Sequence, residues 1–337
     1  MQRCIQLALK AKGYTYPNPM VGCLIVHNNK IISEGWHKKY GQNHAEIEAI
    51  NKVKDLSILS KSTLYVTLEP CVHYGKTNPC VDRIILEKIP RIVIGSKDIS
   101  KKINGKGIKK LLESGLNVRF GVLENECNDL NKRFFKYHIQ KKPYIILKWA
   151  ESKDGFIAPK KEFRKNKMPY WLSTELSRQV VHKWRAQEQS VLIGVQTVID
   201  DDPMLNVRDY KGKSPLRIVI DPNNRIPTNS KLLNDSRETL IISNSKNMTI
   251  RNKKWEKINF DSFFENFFKI LFEKKIQSIL VEGGYKTLKY FIDENYYDEI
   301  KIIKTKSTLK KGLRSPKFKG KIVSKEYLDG DLINTFK

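Results

Sequence analysis

The sequence predicts two α/β domains in succession, and three observations carry that prediction. The chain has 337 residues, more than one hydrophobic core usually serves, since cores stop growing near ~250–300 residues. Short runs of branched residues alternate with helical patterns, and the alternation starts afresh after residue 143. Between the two series a polar helical stretch ends in Lys141-Lys142-Pro143. Proline after a basic helix end is a boundary signal. The expected domains are therefore residues 1–142 and 143–337.

In the first domain, residues 2–12 have the spacing of a short amphipathic helix. Val21–Val26 is a compact apolar strand. Asn28-Asn29 supplies turn chemistry, and Ile31–Gly35 returns as the second arm of a hairpin. His44–Val53 is predicted helical, with Ala45, Ile47, Ala49 and Ile50 as its apolar side. Leu64–Leu68 is a β-rich run ending at Glu69-Pro70-Cys71. A polar loop from His73 to Pro79 leads into a helix from about Cys80 to Lys88. Arg91–Ile94 is the next strand, Ile108–Ser114 a helix closed by Gly115, and Asn117–Phe120 a strand. The order ββαβαβαβ predicts an α/β sandwich on a mixed sheet. Asn128–Lys142 is read as one polar helix.

The second domain opens with the strand Tyr144–Trp149. Ser173–Gln187 is helical. Ser190–Gly194, Leu216–Ile220, Thr239–Ser243 and Gln277–Val281 are short branched strands. Phe263–Glu273 and Tyr285–Asp293 are helices, the latter after Gly283-Gly284. Pro159–Pro169 and Lys304–Lys319 are basic and loop-like. The chain shows no internal repeat.

Composition excludes several classes. Hydrophobic residues at 40% and aromatics at 10% suffice for packed cores, so wholesale disorder is ruled out. No apolar run approaches the ~18–20 residues of a membrane span. The start, Met1–Gly13, lacks a signal peptide's long apolar region and small-residue cleavage site. The 63 Lys+Arg against 36 Asp+Glu give a net charge of +27, which by itself suggests a nucleic-acid partner. Yet 49 of those cations are Lys and 14 are Arg, scattered through every segment. That is a compositional drift, so no nucleic-acid partner is expected, and an anionic small substrate needs only a few of the charges. Cys4, Cys23, Cys71, Cys80 and Cys127 make an odd count. This is no disulfide framework and fits a reducing cytoplasm. Cys4, Cys23 and Cys127 read as small core residues.

Three features converge between residues 44 and 80: His44-Ala45-Glu46 at a helix start, Pro70-Cys71 at the N-terminal end of another helix just after a strand, and Cys80. H-x-E followed by P-C-x-x-C marks the zinc nucleobase deaminases. Zinc takes thiolate sulfur and imidazole nitrogen tetrahedrally, and a catalytic site keeps one position for water. His44, Cys71 and Cys80 are the predicted ligands. Glu46, two residues past His44, is the predicted proton carrier between water, ring nitrogen and leaving amine. Any one of these residues alone reads as an ordinary core residue; together they read as a metal site. The spacing departs from the short signature, because eight residues, Val72 to Pro79, separate the cysteines.

That spacing is where a resemblance becomes specific. The string LEPCVHYGKTNPC resembles the bifunctional riboflavin-biosynthesis deaminase/reductase family, with His73, Gly75 and Thr77 at matching positions and Asn78 where proline is common. Tyr16-Pro17-Asn18-Pro19, Val21-Gly22-Cys23, Gly35-Trp36-His37 and Gly41-Gln42-Asn43-His44 extend the likeness. The resemblance implies a cytidine-deaminase-like α/β/α sandwich whose pocket is lined by Asn18, His37, His73 and Lys76. The simpler alternatives are a turn cap for Asn18 and a solvated Lys76.

By its residues alone, the second half reads as an α/β domain with a strand, Ser278–Val281, running through Glu282 into Gly283-Gly284 and a helix. Glycines at a helix start suit a phosphate, though a lone Gly-Gly is a weak signal. The resemblance sharpens this. Lys148-Trp149-Ala150-Glu151-Ser152-Lys153-Asp154-Gly155 resembles the opening strand of the family's reductase domain, which has the dihydrofolate-reductase-like α/β fold. Trp184-Arg185-Ala186, Gly194–Thr197, Asp201–Arg208, Ile218–Asp221 and Val281–Gly284 continue it in order. It implies NADPH contacts at Ala150, Trp171, Thr197, Asp201, Gly284, Tyr285, Lys286, Thr287, Leu288, Lys289 and Tyr290. It implies substrate contacts at Pro169, Arg185, Leu205, Arg208 and Glu282. Arg185 and Arg208 suit a substrate phosphate, because the guanidinium fork matches its oxygens. Trp171 reads equally as a core anchor, and Lys160–Tyr170 is more basic than the family pattern.

The implied activity has two steps in one cytoplasmic chain, with homo-oligomeric association implied as well. Zinc-assisted hydrolysis deaminates 2,5-diamino-6-(5-phosphoribosylamino)pyrimidin-4(3H)-one. NADPH then reduces the ribosyl group of 5-amino-6-(5-phosphoribosylamino)uracil to ribityl. One rival is a nucleic-acid deaminase, which needs neither the long cysteine spacing nor a second domain. The other is an active deaminase with a degraded reductase half.

Overall fold

The computed structural model of the chain describes residues 1–74, 78–100, 103–163 and 170–337. Expectations placed on Gly75, Lys76, Thr77 and Pro169 lie outside the described residues. The chain divides into two compact units, Met1–Lys142 and Pro143–Lys337.

The first unit contains α1 (Gln2–Leu9), β1 (Gly22–His27), β2 (Lys30–Trp36), α2 (Ala45–Ile50), β3 (Thr63–Leu68), α3 (Cys80–Leu86), β4 (Arg91–Ser96), α4 (Lys106–Glu113), β5 (Asn117–Arg119), α5 (Glu124–Leu130) and α6 (Lys132–Gln140). Its five strands form one sheet in the order β2-β1-β3-β4-β5. The hairpin β1–β2 and the pair β1–β3 are antiparallel, while β3–β4 and β4–β5 are parallel. This is the expected mixed sheet. Its central core joins Ile25, Leu64, Val66, Ile92 and Ile94 from the strands to Ala49 and Ile50 of α2, Val81 and Ile84 of α3, and Leu111 of α4.

The helix expected over Asn128–Lys142 is two helices. The break is at Asn131, whose backbone leaves the helical region (φ −110°, ψ 22°). Its side-chain oxygen accepts the Met20 N–H at 2.8 Å and its amide donates to the Met20 carbonyl at 2.9 Å. A contact 111 residues away in sequence overrides a local helical pattern.

The second unit contains β6 (Tyr144–Glu151), β7 (Phe156–Pro159), α7 (Glu175–Gln187), β8 (Ser190–Gly194), α8 (Val195–Asp201), β9 (Leu216–Ile220), α9 (Lys231–Asn234), β10 (Thr239–Ser243), β11 (Met248–Ile250), β12 (Lys253–Lys257), α10 (Phe263–Glu273), β13 (Ser278–Val281), α11 (Tyr285–Asp293), β14 (Glu299–Lys304), β15 (Gly312–Arg314), β16 (Ile322–Leu328) and β17 (Asp331–Phe336). Ten strands make one sheet in the order β11-β12-β10-β9-β8-β13-β6-β14-β17-β16. From β12 to β14 all neighbours run parallel; β11 and the pair β17–β16 add antiparallel edges. The inner strands are buried, as their near-continuous apolar sequences require. Phe263, Phe264, Phe267 and Phe268 of α10 pack with Phe291 of α11 into the main core.

Part of the expected loop over residues 304–319 is strand. β15 pairs with β7 in a small separate ribbon. β16 was beyond reach of a hydrophobic pattern, because its residues are exposed along nearly their whole length.

Candidate active site

In the first unit two helix starts and the end of a strand meet; Cys71 lies in a loop, not at the helix start expected for it. His44 stands at the N-cap of α2 with extended backbone (ψ 164°). Cys71 follows β3 and the buried Glu69-Pro70 pair. Cys80 opens α3. His44 Nδ1 lies 3.2 Å from Cys80 Sγ and 3.4 Å from Cys71 Sγ. All three ligand atoms fall within 4.8 Å of one another. A tetrahedral zinc with bonds of ~2.0–2.3 Å sets its ligand atoms roughly 3.5–3.8 Å apart, so the donor set and its spacing fit the ion. The Cys71 sulfur also accepts the Cys80 N–H at 3.4 Å. The hydrogen bond from the Cys80 thiol draws the Cys71 thiol well below its ordinary value, and donating that bond, together with burial, drives Cys80 up. A thiolate is the form a metal takes.

Glu46 sits in the first turn of α2 and is 3% exposed. Burial above all pushes its carboxyl up to about 7. The expected pocket residues His37 and Asn18 come to the same place. The His37 and His44 rings meet edge-on at 5.4 Å. His37 Nδ1 is 3.0 Å from the Asn43 carbonyl, which requires the proton on that nitrogen; Nε2 then accepts the Asn18 amide at 3.2 Å. Burial lowers the His37 pKa and favours this neutral tautomer. His73 is half-buried, and its Nδ1 has no hydrogen-bond partner among the described residues.

In the second unit Thr197, Glu282, Gly284 and Ala150 lie near the carboxyl ends of β8, β13 and β6, where open parallel sheets bind ligands. Thr197 of α8 accepts the Gly284 N–H at 3.0 Å, which brings the starts of α8 and α11 together. Gly283 has no room for a side chain, since a Cβ would run into the backbone of Ile193 and Gly194. The Gly-Gly turn thus closes strand end on strand end and leaves Gly284 exposed at the positive end of α11. Within the expected cofactor segment, Tyr285 and Thr287 are half-buried beside this turn and Lys286 is exposed. Leu288 turns into the core. The Tyr290 ring lies tilted against Phe264 at 4.8 Å, and Lys289 pairs with Asp293 at 2.6 Å. Ala150 lies on β6 beside Ile303 of β14. Asp201 ends α8. Trp171 is exposed, with the Arg178 guanidinium 5.0 Å from its ring centre.

Glu282 is the centre of the charged part. Arg185 Nε and Nη2 donate to its two oxygens at 2.6 and 2.9 Å, and Lys148 Nζ donates at 3.1 Å. These two cations hold the buried carboxyl well below the usual carboxylate range against the cost of burial. Arg185 also donates to the Asn206 carbonyl at 3.1 Å. Its fork, expected for a phosphate, is occupied by Glu282 here. Arg208 is exposed and keeps its guanidinium near solvent, with Asn206 Oδ1 at 3.3 Å. Leu205 is buried with positive φ (50°), in a core cluster with Val198 and Leu232.

Two contributors escape the sequence reading. Lys148 gets no role there; its signal is a lone lysine inside an apolar strand. His182, one turn before Arg185, accepts the Arg208 N–H at 3.3 Å and faces Asp209 at 3.2 Å. Burial, with Arg185 and Arg208 nearby, pushes it down to about 4, so it is neutral.

Comparison with known proteins agrees with this layout. Residues 1–96 match the family described as the cytidine and deoxycytidylate deaminase zinc-binding region, and residues 143–305 match the RibD C-terminal domain. The riboflavin biosynthesis protein RibD of Aquifex aeolicus is 39% identical over 93% of this chain and 88% of that protein. RibD of Actinobacillus pleuropneumoniae is 38% identical over 84% of this chain and 77% of its own length. The crystal structure of a diaminohydroxyphosphoribosylaminopyrimidine deaminase/5-amino-6-(5-phosphoribosylamino)uracil reductase from Thermotoga maritima superposes with a TM-score of 0.90 at 32% identity, covering 100% of this chain and 97% of that one.

Proposed function

This chain belongs to the bifunctional riboflavin-biosynthesis family that fuses a deaminase to a reductase, and we propose from that premise how its own residues divide the two reactions. It is an enzyme with both activities, using zinc in its first unit and NADPH in its second. Neither the nucleic-acid deaminase nor the half-degraded enzyme is favoured by relatives that match along nearly the whole chain.

The observation that carries the deaminase reading is the convergence of His44, Cys71 and Cys80 beside a buried Glu46. His44, Cys71 and Cys80 would hold a zinc ion, which would supply an acidified water as the nucleophile. Glu46 takes one proton from the attacking water and passes it to the ring nitrogen, then takes the second from the new hydroxyl and passes it to the amine as the carbon–amine bond breaks. Asn18 and His37 orient the pyrimidine next to it, and the His73 Nδ1 offers a free polar atom to the same substrate. The amino group at C2 of the diaminopyrimidine leaves as ammonia, and one water supplies the new carbonyl oxygen.

For the second reaction, NADPH held by this unit would supply a hydride to the first carbon of the ribosyl group, whose bond to the ring oxygen breaks while that oxygen takes a proton from solvent, leaving ribityl. Gly284 and the first turn of α11, with Thr197, receive the anionic part of the cofactor. Ala150, Trp171 and Asp201 flank it in this reading. Arg208, with its fork near solvent, takes the substrate phosphate. Glu282, held by Arg185 and Lys148, accepts hydrogen bonds from the sugar hydroxyls, and Leu205 packs beneath them.

The substrate is a small molecule. A cytoplasmic setting is supported by five free cysteines, and among the described residues no helix is long and apolar enough to cross a membrane. Homo-oligomerisation, and the absence of a nucleic-acid partner, belong to the same reading. The test is a coupled assay on the full chain with the diaminopyrimidine ribotide. Ammonia release and NADPH oxidation in equal amounts, both lost in Glu46→Ala, support two units acting in series. Ammonia without NADPH oxidation refutes the reductase half, and zinc binding without ammonia refutes the substrate.

A further inference from the structure

Glu69 lies two residues before Cys71 and takes no part in the chemistry above, yet it is 3% exposed. Its carboxylate accepts four backbone N–H groups. Oε2 takes those of Asp98 at 3.1 Å and Gly105 at 3.0 Å; Oε1 takes those of Gly107 at 2.8 Å and Ile108 at 3.2 Å. Gly107 and Ile108 belong to the first turn of α4, whose own N-cap residue, Gly105, has no side chain to offer. Helix-start N–H groups need an acceptor. Here a glutamate from the end of β3 supplies it across the fold.

The segment so held leads to the metal site. Ile103, 7% exposed, packs with Cys71, Cys80 and Ile47 in one buried cluster. Its carbonyl accepts the Lys106 N–H at 3.0 Å, which ties it to the start of α4. Gly107 sits so close to the turn that a Cβ would run into the Pro70 carbonyl. On the other side, Cys71 is gripped by α3. Its carbonyl accepts the Val81 N–H at 3.2 Å and its sulfur the Cys80 N–H at 3.4 Å. Cys71 therefore lies between α3 and a segment fastened by Glu69.

We propose that Glu69 is a positioning residue of the metal centre: it clamps the start of α4 and Ile103 against the Cys71 turn, setting the separation of the two sulfurs and keeping them dry. The inference rests on reading His44, Cys71 and Cys80 as the zinc ligands. The chemistry explains the choice of residue. Four N–H donors converge on two oxygens, so only a carboxylate serves them all. A glutamine of the same size turns its NH2 toward two of those donors and loses their bonds. Partners outside the ligand shell, and the apolar surround of a site, tune metal affinity and solvent access.

The test uses the full chain loaded with zinc, then with cobalt as a spectroscopic substitute. Wild type is expected to bind one metal per chain. Glu69→Gln is expected to lose about 10–100-fold in zinc affinity by chelator competition, the range typical of supporting residues around a metal. Its thiolate-to-cobalt absorption is expected to shift, while NADPH oxidation on directly supplied 5-amino-6-(5-phosphoribosylamino)uracil stays at wild-type rate. Unchanged affinity and cobalt spectrum, even with a lowered melting temperature, overturn the proposal and leave Glu69 a plain helix cap. Should Glu69→Gln not fold, Ile103→Ala decides, since it removes the cover and spares the carboxylate. A several-fold affinity loss with a shifted cobalt spectrum supports the clamp, and wild-type values overturn it. A wild-type chain that binds neither metal overturns the zinc reading and the clamp with it.

Discussion

The two catalytic regions are assembled in opposite ways. The proposed deaminase centre draws its candidate ligands and Glu46 from residues 44 to 80, a short stretch of chain, with His44 and Cys80 at helix starts, Glu46 in a first turn and Cys71 in the loop after a strand. The charged cluster of the reductase unit joins Lys148 on β6, Arg185 on α7 and Glu282 after β13, the first and the last 134 positions apart. In the first case a metal's demand for particular donor types writes itself into local motifs. In the second, neighbouring parallel strands bring distant residues together, and burial selects their pairing. The difference teaches that coordination chemistry is read along the chain, whereas ion-pair chemistry is read across the sheet.

Breaking one region while sparing the other tests this contrast most directly. Glu46→Gln is expected to lower ammonia release by about 10²–10⁴-fold, with NADPH oxidation on the uracil ribotide unchanged in the same preparation. A parallel fall in both rates would mean that the units do not act separately.

The next largest effect is on stability. Glu282→Gln leaves Arg185 and Lys148 buried without their counter-charge, with side chains only 13% and 14% exposed. Loss of one partner in a buried ion pair costs about 3–5 kcal/mol. Chemical denaturation followed by Trp fluorescence should show a weakened reductase unit, while ammonia release persists. An unchanged unfolding midpoint would remove the ion cluster from any structural role.

Acid sharpens the same comparison. The folded pKa values of Glu282 and Asp235 are depressed, the latter by Arg217 and Lys253 against the cost of burial. Each contributes stability that is fully present above its unfolded value of ~4 and is lost as pH falls through the folded value. Thermal melts below about pH 4 are expected to show falling stability of the second unit, a fall that Glu282→Gln partly removes. Equal slopes in both proteins would contradict the assignment.

The smallest expected effect concerns the helix break. Asn131→Ala strips both hydrogen bonds from Met20 and leaves its buried N–H and carbonyl unpaired, at a cost of about 1–3 kcal/mol. Urea titration of the full chain, followed by ammonia release, would measure it; a gain in helix content across the old break would be a second sign.

What was legible follows the same division. The β1–β2 hairpin, the parallel strands β8, β9 and β13, and the Phe-rich helix α10 all announce themselves by apolar period. The strand β16 does not, since an antiparallel edge strand exposed along nearly its whole length carries little apolar signal. Arg185 illustrates the harder case. Its residue type suits a phosphate equally well, and only Glu282 standing at 2.6 Å shows where its fork goes. Leu288 likewise reads as part of a cofactor segment, yet the helical turn carries it into the core.

By itself the sequence determined the two-unit plan and the mixed sheet of the first unit, and it singled out the proposed zinc donor set and acid–base glutamate. Those features depend on side-chain type and on periods of a few residues, which survive in one dimension. Only the tertiary structure decided that Glu69 caps a helix from across the fold, that Asn131 splits another, and that Glu282 binds Arg185 and Lys148. Each of these is a buried polar group finding its partner, and in a dehydrated interior the partner is whichever group the packed chain places within hydrogen-bond reach.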